Sequence, residues 1–140
     1  MENQLIVIDT DVIIDFFSNI SPGAEMVSKL ISSEEAAITS VSVFELYAGI
    51  KGKRRLKQIE TFIRDLITLP LDVIEAAMAG KIYTQLKSKG HLIGTHDILI
   101  AAICLTNGLP IYTKNVAHFS KIDDLHLLST EEILKLKIDV

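Results

Sequence analysis

Short apolar runs without polar alternation recur along the chain, and helical segments separate them. The first run, at residues 5–8, is apolar at every position and ends at Asp9. A strand buried on both faces has this pattern, whereas a strand with one face in water alternates. Because parallel neighbours need a long crossover, usually a helix, the alternation favours a parallel sheet. The chain is therefore predicted to be an α/β protein with helices on both faces of the sheet.

Element boundaries follow from the apolar spacing and from chain breaks at residues 21–23, Gly90 and Gly108. Strands are predicted at residues 5–8, 36–39, 67–71, 110–113 and 125–128. Helices are predicted at residues 12–17, 24–32, 43–50, 51–66, 72–88, 97–107 and 131–137. The helix at residues 97–107 is apolar on nearly every side, which places it in the core.

Length and composition limit the class of protein. A chain of 140 residues with 49% hydrophobic and 23% charged residues is predicted to form one compact domain over residues 1–140. Its net charge of −4 argues against a broad positive surface, so a phosphate-bearing partner would need a local basic patch or bound cations. The one cysteine, Cys104, lies in an apolar run, which excludes intramolecular disulfides and thiolate metal sites and predicts a buried structural thiol.

The protein is also predicted to act in the cytoplasm. The first residues of the chain lack the cationic stretch, apolar segment and cleavage site of a secretory signal. No run approaches the roughly 20 apolar residues that a membrane helix needs. A membrane association is therefore not expected.

Three carboxylates interrupt apolar segments where a parallel sheet would collect a ligand. Asp9 closes the first predicted strand, Glu45 lies in the helix after the second, and Asp97 begins the core helix. Ligands of such sheets bind outside the carboxyl ends of the strands. Carboxylates rarely enter cores unpaired, and no lysine or arginine stands beside these three in sequence. If they converge, a divalent cation is the natural counter-ion, and Mg²⁺ with its water ligands suits hydrolysis of a phosphate ester.

Each carboxylate also has a local structural interpretation. Asp9 can cap the first helix, and residues 42–45 match a capping box in which Glu45 reaches back to the backbone. Asp97 can complement a helix dipole, while Asp11 and Asp15 are interpreted as solvated helix residues. The combination of the three carboxylates is therefore more informative than any one of them.

Four blocks of sequence carry a resemblance to a known family. They are Val7-Ile8-Asp9-Thr10-Asp11-Val12-Ile13-Ile14-Asp15, Thr39-Ser40-Val41-Ser42-Val43-Phe44-Glu45-Leu46-Tyr47-Ala48-Gly49, His96-Asp97-Ile98-Leu99-Ile100-Ala101-Ala102 and Thr113-Lys114-Asn115-Val116-Ala117-His118-Phe119. In this order they resemble the PIN-domain nucleases and, more narrowly, the VapC toxins of prokaryotic toxin–antitoxin pairs. Each block is weakly diagnostic alone, but together they are specific and span most of the chain.

The resemblance implies a three-layer α/β/α sandwich around a mostly parallel sheet. It also implies an acidic pocket that hydrolyses RNA phosphodiesters with Mg²⁺ or Mn²⁺, by in-line attack of a metal-activated water. The residues that it carries over are Asp9, Glu45 and Asp97 as catalytic residues and metal ligands, Asn115 as a fourth ligand, and Thr10 and Thr113 as supporting residues. In this mechanism Glu45 orients or deprotonates the water.

The chain departs from the commoner family pattern at two places. Asn115 stands where an aspartate is frequent, and it offers an oxygen ligand without negative charge, which argues against a second tightly held metal. His118 stands where an acid is also frequent. A histidine there can titrate or contact RNA, and we interpret His118 as a partly exposed structural residue.

The resemblance also implies partners. The substrate would be tRNA or another structured RNA, a cognate antitoxin would cover the pocket, commonly with a basic side chain, and the toxin would be a homodimer. A cationic stretch supplies the candidate RNA contacts, namely Lys51, Lys53, Arg54 and Arg55. Such phosphate contacts give salt-dependent affinity with little sequence preference. The alternative for this stretch is a solvated helix start.

Two rival functions stay open. The segment Asp9-Thr10-Asp11-Val12 also resembles the opening motif of the haloacid-dehalogenase phosphatases, whose later lysine and acidic pair can be placed only at Lys114 and Asp123-Asp124. The other rival is a non-catalytic module that keeps the fold and acts through protein contacts, which Asn115 and the acidic net charge favour. Phosphatase activity that needs Asp11 would support the first, and metal binding without RNA cleavage would support the second.

Overall fold

The computed structural model describes residues 4–136, in which strands and helices alternate along the chain. The strands are β1 (Ile6–Ile8), β2 (Ala36–Thr39), β3 (Ile67–Leu69) and β4 (Ile111–Tyr112). The helices are α1 (Thr10–Phe17), α2 (Gly23–Ser32), α3 (Ser40–Ala48), α4 (Lys53–Asp65), α5 (Val73–Ser88), α6 (Thr95–Asn107), α7 (Val116–Phe119) and α8 (Thr130–Leu134).

The sheet is parallel throughout and has the strand order β3-β2-β1-β4. Val7 in β1 pairs with Ala37 of β2 on one side and with Ile111 of β4 on the other. β1 therefore lies inside the sheet, and its carboxyl end adjoins the ends of two neighbouring strands. The predicted α/β class with a parallel sheet is confirmed.

Helices cover both faces of the sheet and make three layers. Ile6 and Ile8 pack on one face with α1, α2 and α4, whereas Val7 packs on the other face with α5 and α6. This alternation follows from the two-residue period of a strand. Residues 100–104 of α6 are completely buried, so the predicted core helix is confirmed.

Burial also decides the state of Cys104 in α6. The side chain is fully buried, and burial raises the pKa of its thiol to about 12. The thiolate, which is the reactive form of cysteine, is therefore not populated near neutral pH. The prediction of a buried structural thiol is confirmed.

No helix within residues 4–136 is both long and apolar enough to cross a membrane.

The fifth predicted strand, at residues 125–128, is wrong. Leu127 makes an isolated parallel bridge to Ile111 at the edge of the sheet, supported by the Leu128 N–H donating to the Ile111 carbonyl at 2.9 Å. α7 has no counterpart in the sequence prediction, because its four residues are too few to show a helical period. The last described helix ends at Leu134, and its predicted end at Lys137 lies outside the described residues.

Candidate functional site

Four residues of the predicted site lie at the same edge of the sheet. They are Asp9 after β1, Glu45 in α3 after β2, Asp97 in the first turn of α6, and Asn115 after β4. Because β1 lies between β2 and β4, the carboxyl ends of these strands are adjacent. The carboxylates of Asp11 and Asp97 also lie close enough to Asp9 to raise its pKa.

Asp9 is a buried carboxylate that is held by two hydrogen bonds and, among the described residues, pairs with no cation. Its Oδ1 accepts from the Thr10 N–H at 2.9 Å, which caps α1, and its Oδ2 accepts from the Thr113 hydroxyl at 2.7 Å. Burial, together with the neighbouring carboxylates of Asp11 and Asp97, raises the pKa of Asp9 to about 7. The capping interpretation is confirmed, and no salt bridge within residues 4–136 gives this carboxylate a counter-charge.

Glu45 is oriented by a hydroxyl network and not by a capping box. Thr10 Oγ1 donates to Glu45 Oε1 at 2.8 Å and lies 2.8 Å from the Ser42 hydroxyl oxygen. The capping-box interpretation is wrong because α3 begins at Ser40, before the predicted start at residue 43. Thr39 is the cap, and its hydroxyl accepts from the Ser42 N–H at 3.1 Å. Glu45 therefore lies beyond the first turn and faces Thr10 of the first sequence block.

Two histidines and an amide lie against the other carboxylate oxygens. His96 Nδ1 is 3.4 Å from Glu45 Oε2, and His118 Nδ1 is 2.9 Å from Asp97 Oδ2. The Asn115 amide N–H donates to the same Asp97 oxygen at 3.0 Å. The amide nitrogen of Asn115, and not its carbonyl oxygen, therefore faces Asp97. His118, interpreted as structural, is a site contact, and its signal in the sequence is that an acid is frequent at this family position.

Two further carboxylates of α1 adjoin the site through Lys114. Asp11 Oδ2 accepts from the Lys114 backbone N–H at 3.2 Å, and burial raises the pKa of Asp11. Asp15 is 6% exposed, and its Oδ2 is 2.9 Å from the Lys114 ammonium. The interpretation of both as solvated residues is wrong for Asp15 and incomplete for the half-buried Asp11. They lie one helical turn apart, so α1 presents both to the loop after β4.

The side chains of the site suit a cation that keeps several water ligands better than a cation enclosed by protein ligands. Within residues 4–136, no three Asp, Glu, His or Cys side chains lie close enough together to enclose an ion. Mg²⁺ usually keeps several waters and needs one or two carboxylates from the protein. Asp9 and Asp97 fit this requirement, because they interact electrostatically and Asp9 has no positive neighbour in the described chain. Glu45 is linked to Asp9 through Thr10, whose hydroxyl donates to Glu45 Oε1 and whose backbone N–H donates to Asp9 Oδ1.

The predicted RNA-binding residues divide among several depressions. Lys51 and Arg55 line a groove of about 260 Å³ that also contains Glu45. Arg54 lines a larger, mainly apolar groove of about 570 Å³, and joins Lys51 and Arg55 in a third of about 290 Å³. Lys53 is exposed at the first position of α4 and lines none of these three. The four cations are therefore not equivalent.

The sequence matches one family over most of its length. The profile of the PIN domain family matches residues 6–125. This chain belongs to the PIN-domain family. Ribonuclease VapC of Rickettsia bellii is 36% identical to this PIN domain over 103 residues, which are 69% of the chain and 77% of the relative. The tRNA(fMet)-specific endonuclease VapC of Salmonella typhimurium is 29% identical over 101 residues, which are 69% of the chain and 76% of that relative.

Solved structures share the fold of this PIN domain. The DNA-bound VapBC of Salmonella typhimurium superposes with a TM-score of 0.77 at 27% identity, covering 89% of this chain and 97% of that chain. The resemblance carried by the four sequence blocks, to PIN-domain nucleases and to VapC proteins, is confirmed. The phosphatase alternative has no support, since Asp123 pairs with Lys89 at 3.4 Å and Lys114 pairs with Asp15.

Proposed function

We propose that this PIN domain is an endoribonuclease that depends on Mg²⁺ or Mn²⁺ and is the toxin of a VapBC-type pair. The observation that carries the proposal is the buried carboxylate of Asp9 beside Asp97, without a counter-charge, where three parallel strands end. Relatives named ribonuclease VapC support RNA as the substrate. A relative specific for tRNA(fMet) supports tRNA or another structured RNA.

The chain supplies positioning and proton transfer for hydrolysis. Asp9 and Asp97 would hold the cation, and the cation would supply charge stabilisation at the phosphate and activation of water. Glu45 orients the attacking water and accepts its proton, and the Thr10 hydroxyl, which donates to Oε1 at 2.8 Å, fixes the position of the carboxylate. The water oxygen bonds to phosphorus as the opposite P–O ester bond breaks, and the leaving oxygen stays on the other RNA fragment and takes a proton from solvent. No protein side chain becomes covalently attached. The Thr113 hydroxyl keeps Asp9 in place.

The proposal includes an antitoxin, a homodimer and action in the cytoplasm, where RNA substrates are found. The VapBC complex that shares this fold supports the antitoxin. The buried carboxylate of Asp9, which pairs with no cation between residues 4 and 136, suits inhibition by a basic side chain. Exposed apolar side chains support contact with a second copy: Phe44 of α3 is 59% exposed, and Val73 and Ile74 at the start of α5 are 78% and 69% exposed.

Cleavage by purified, antitoxin-free protein tests the proposal. Wild type, Asp9→Asn and Asp97→Asn are incubated with tRNA and other structured RNA in Mg²⁺ or Mn²⁺, after circular dichroism has shown that all are folded. We expect EDTA to abolish cleavage, and each substitution to reduce it by roughly 100-fold or more. Glu60→Gln, which removes an exposed carboxylate of α4, should retain activity. Cleavage unchanged by both site substitutions would indicate a contaminant, and metal binding without cleavage would favour the non-catalytic module.

A further inference from the structure

The groove that contains Glu45 also contains two cations of the α3–α4 connection. Lys51 and Arg55 line it together with Glu45, and the remaining walls are mainly apolar. With a net charge of −4, the protein does not attract polyanions over its whole surface. A pair of positive charges in one groove beside a proposed catalytic carboxylate is therefore a local exception.

Arg55 carries a charge that no carboxylate neutralises in the described chain. Its guanidinium carbon lies 5.3 Å from the centroid of the Phe17 ring, which is a cation–π contact. Nη2 donates to the Ser18 hydroxyl at 3.4 Å, the long limit of a hydrogen bond, while Nη1 is buried and has no hydrogen-bond partner. A buried donor without an acceptor is unfavourable. An anion in the groove would supply acceptor oxygens for the guanidinium group and so remove this cost.

Lys51 provides the second charge of the groove. It is exposed, and between residues 4 and 136 no hydrogen bond or ion pair engages its ammonium group. Lys51 and Arg55 also meet in the adjoining depression that contains Phe17 and Gln58. Lys51 and Arg55 thus line both depressions, the first together with Glu45 and the second together with Arg54.

We propose that Lys51 and Arg55 clamp a backbone phosphate of the RNA strand that passes Glu45. The inference rests on the proposed ribonuclease function and describes how that site holds its substrate. An RNA strand with its reacting phosphate at the acidic pocket must lead neighbouring phosphates into an adjoining groove. The guanidinium fork matches phosphate oxygens through paired N–H groups, and lysine adds a point charge. Both are positioning residues, and because they contact phosphate they carry no base preference.

Equilibrium binding in a non-cleaving background tests the clamp. In the Asp9→Asn protein, Arg55→Gln and Lys51→Gln are compared by fluorescence anisotropy on a labelled RNA that the wild type cleaves. We expect each to weaken binding by roughly 10-fold and to reduce the salt slope by about 1. Lys135→Gln is the matched control, since it removes an exposed lysine at the end of α8 that lines neither depression, and it should leave both quantities unchanged. In the active protein, Arg55→Gln should raise KM with little change in kcat.

Neutral methylphosphonate linkages locate the phosphate. Neutralising the clamped position should weaken wild-type binding but not Arg55→Gln binding, whereas other positions should affect both equally. If no position shows this dependence while the wild type still cleaves RNA, the clamp is refuted and the ribonuclease stands. Unchanged RNA binding by Arg55→Gln with loss of antitoxin binding would assign the groove to an acidic protein segment, which also refutes it. A wild type that neither cleaves nor binds RNA overturns both proposals.

Discussion

Asp9 illustrates, at the residue scale, how one side chain serves both the fold and the site. Its Oδ1 caps α1 by accepting from the Thr10 N–H, and its Oδ2 accepts from Thr113. An asparagine would cap the helix equally well, because a cap requires a side-chain oxygen and not a charge. The cap therefore does not require the negative charge of Asp9, and burial of that charge opposes folding.

Asp9→Asn should stabilise the metal-free protein at alkaline pH. The pKa of Asp9 is raised from 3.8 to about 7 on folding, so the folded state binds the proton more tightly than the unfolded state does. The resulting stabilisation is complete below pH 3.8 and is lost as the pH rises through about 7. In EDTA at about pH 8, urea unfolding should show the variant more stable than wild type by roughly 1–3 kcal/mol.

The same comparison at about pH 5 should show a much smaller difference between Asp9→Asn and wild type. Glu60→Gln controls for the change in net charge, because it removes an exposed carboxylate. A difference that does not vary with pH would contradict the assignment to Asp9.

Thr10 should matter to catalysis through its hydroxyl and not through its shape. Thr10→Val keeps the volume but removes the donor to Glu45 Oε1, and we expect kcat/KM for RNA cleavage to fall by roughly 10- to 100-fold. Thr10→Ser keeps the donor and should retain most of the activity. Equal activity of the valine and serine variants, both folded by circular dichroism, would show that the hydroxyl does not orient Glu45.

At the element scale, α1 and the loop between β4 and α7 are joined by Lys114. Its ammonium pairs with the buried Asp15 and its backbone N–H donates to Asp11, while the neighbouring Thr113 and Asn115 contact Asp9 and Asp97. α1 also approaches α2 closely at this point, since a Cβ on Gly23 would lie 3.2 Å from the Asp15 Cβ. The ion pair between Lys114 and Asp15 therefore holds Thr113 and Asn115 against α1.

Lys114→Met should lower the melting temperature, because it leaves the Asp15 carboxylate buried without its partner. Adding Asp15→Asn to Lys114→Met should restore part of the loss, so the double variant is more stable than the sum of the single effects predicts. Thermal unfolding of the four proteins measures this coupling. Additive effects would mean that the ion pair does not connect the two elements.

At the scale of the whole molecule, folding brings like charges together at the carboxyl edge of the sheet. Asp97 lies far along the chain from Asp9 and Asp11, so its charge acts on Asp9 only in the folded protein. A cation that binds this group binds the folded state in preference to the unfolded state. Burial of the apolar clusters on the two faces of the sheet stabilises the fold and offsets the repulsion between these carboxylates.

Mn²⁺ should therefore raise the thermal stability of the wild type. At 100 times its dissociation constant, a ligand specific for the folded state adds about 2.7 kcal/mol. Asp9→Asn and Asp97→Asn should lose most of this response, and sodium chloride at matched ionic strength should not reproduce it. A Mn²⁺ response of equal size in all three proteins would place the bound ion elsewhere.

Particular residues show how far the sequence predicts this site. Asp9 and Asp97 are recognisable because a carboxylate next to an apolar run is unusual, and the four family blocks name them together with Glu45. The sequence does not predict the contacts of Asp15 and His118, because their partners, Lys114 and Asp97, lie far along the chain. The capping box predicted at residues 42–45 is wrong because Thr39, and not Ser42, caps α3.

The apolar pattern predicts the parallel sheet, the core helix α6 and the acidic residues at the strand ends, because a segment buried on both faces is apolar at successive positions. Only the tertiary structure decided which carboxylates are paired. The Thr113 hydroxyl that holds Asp9 is 104 residues away, and the Thr10 hydroxyl that holds Glu45 is 35 residues away. Hydrogen bonds and charges act over a few ångströms in space, and no local pattern of residue types encodes that distance.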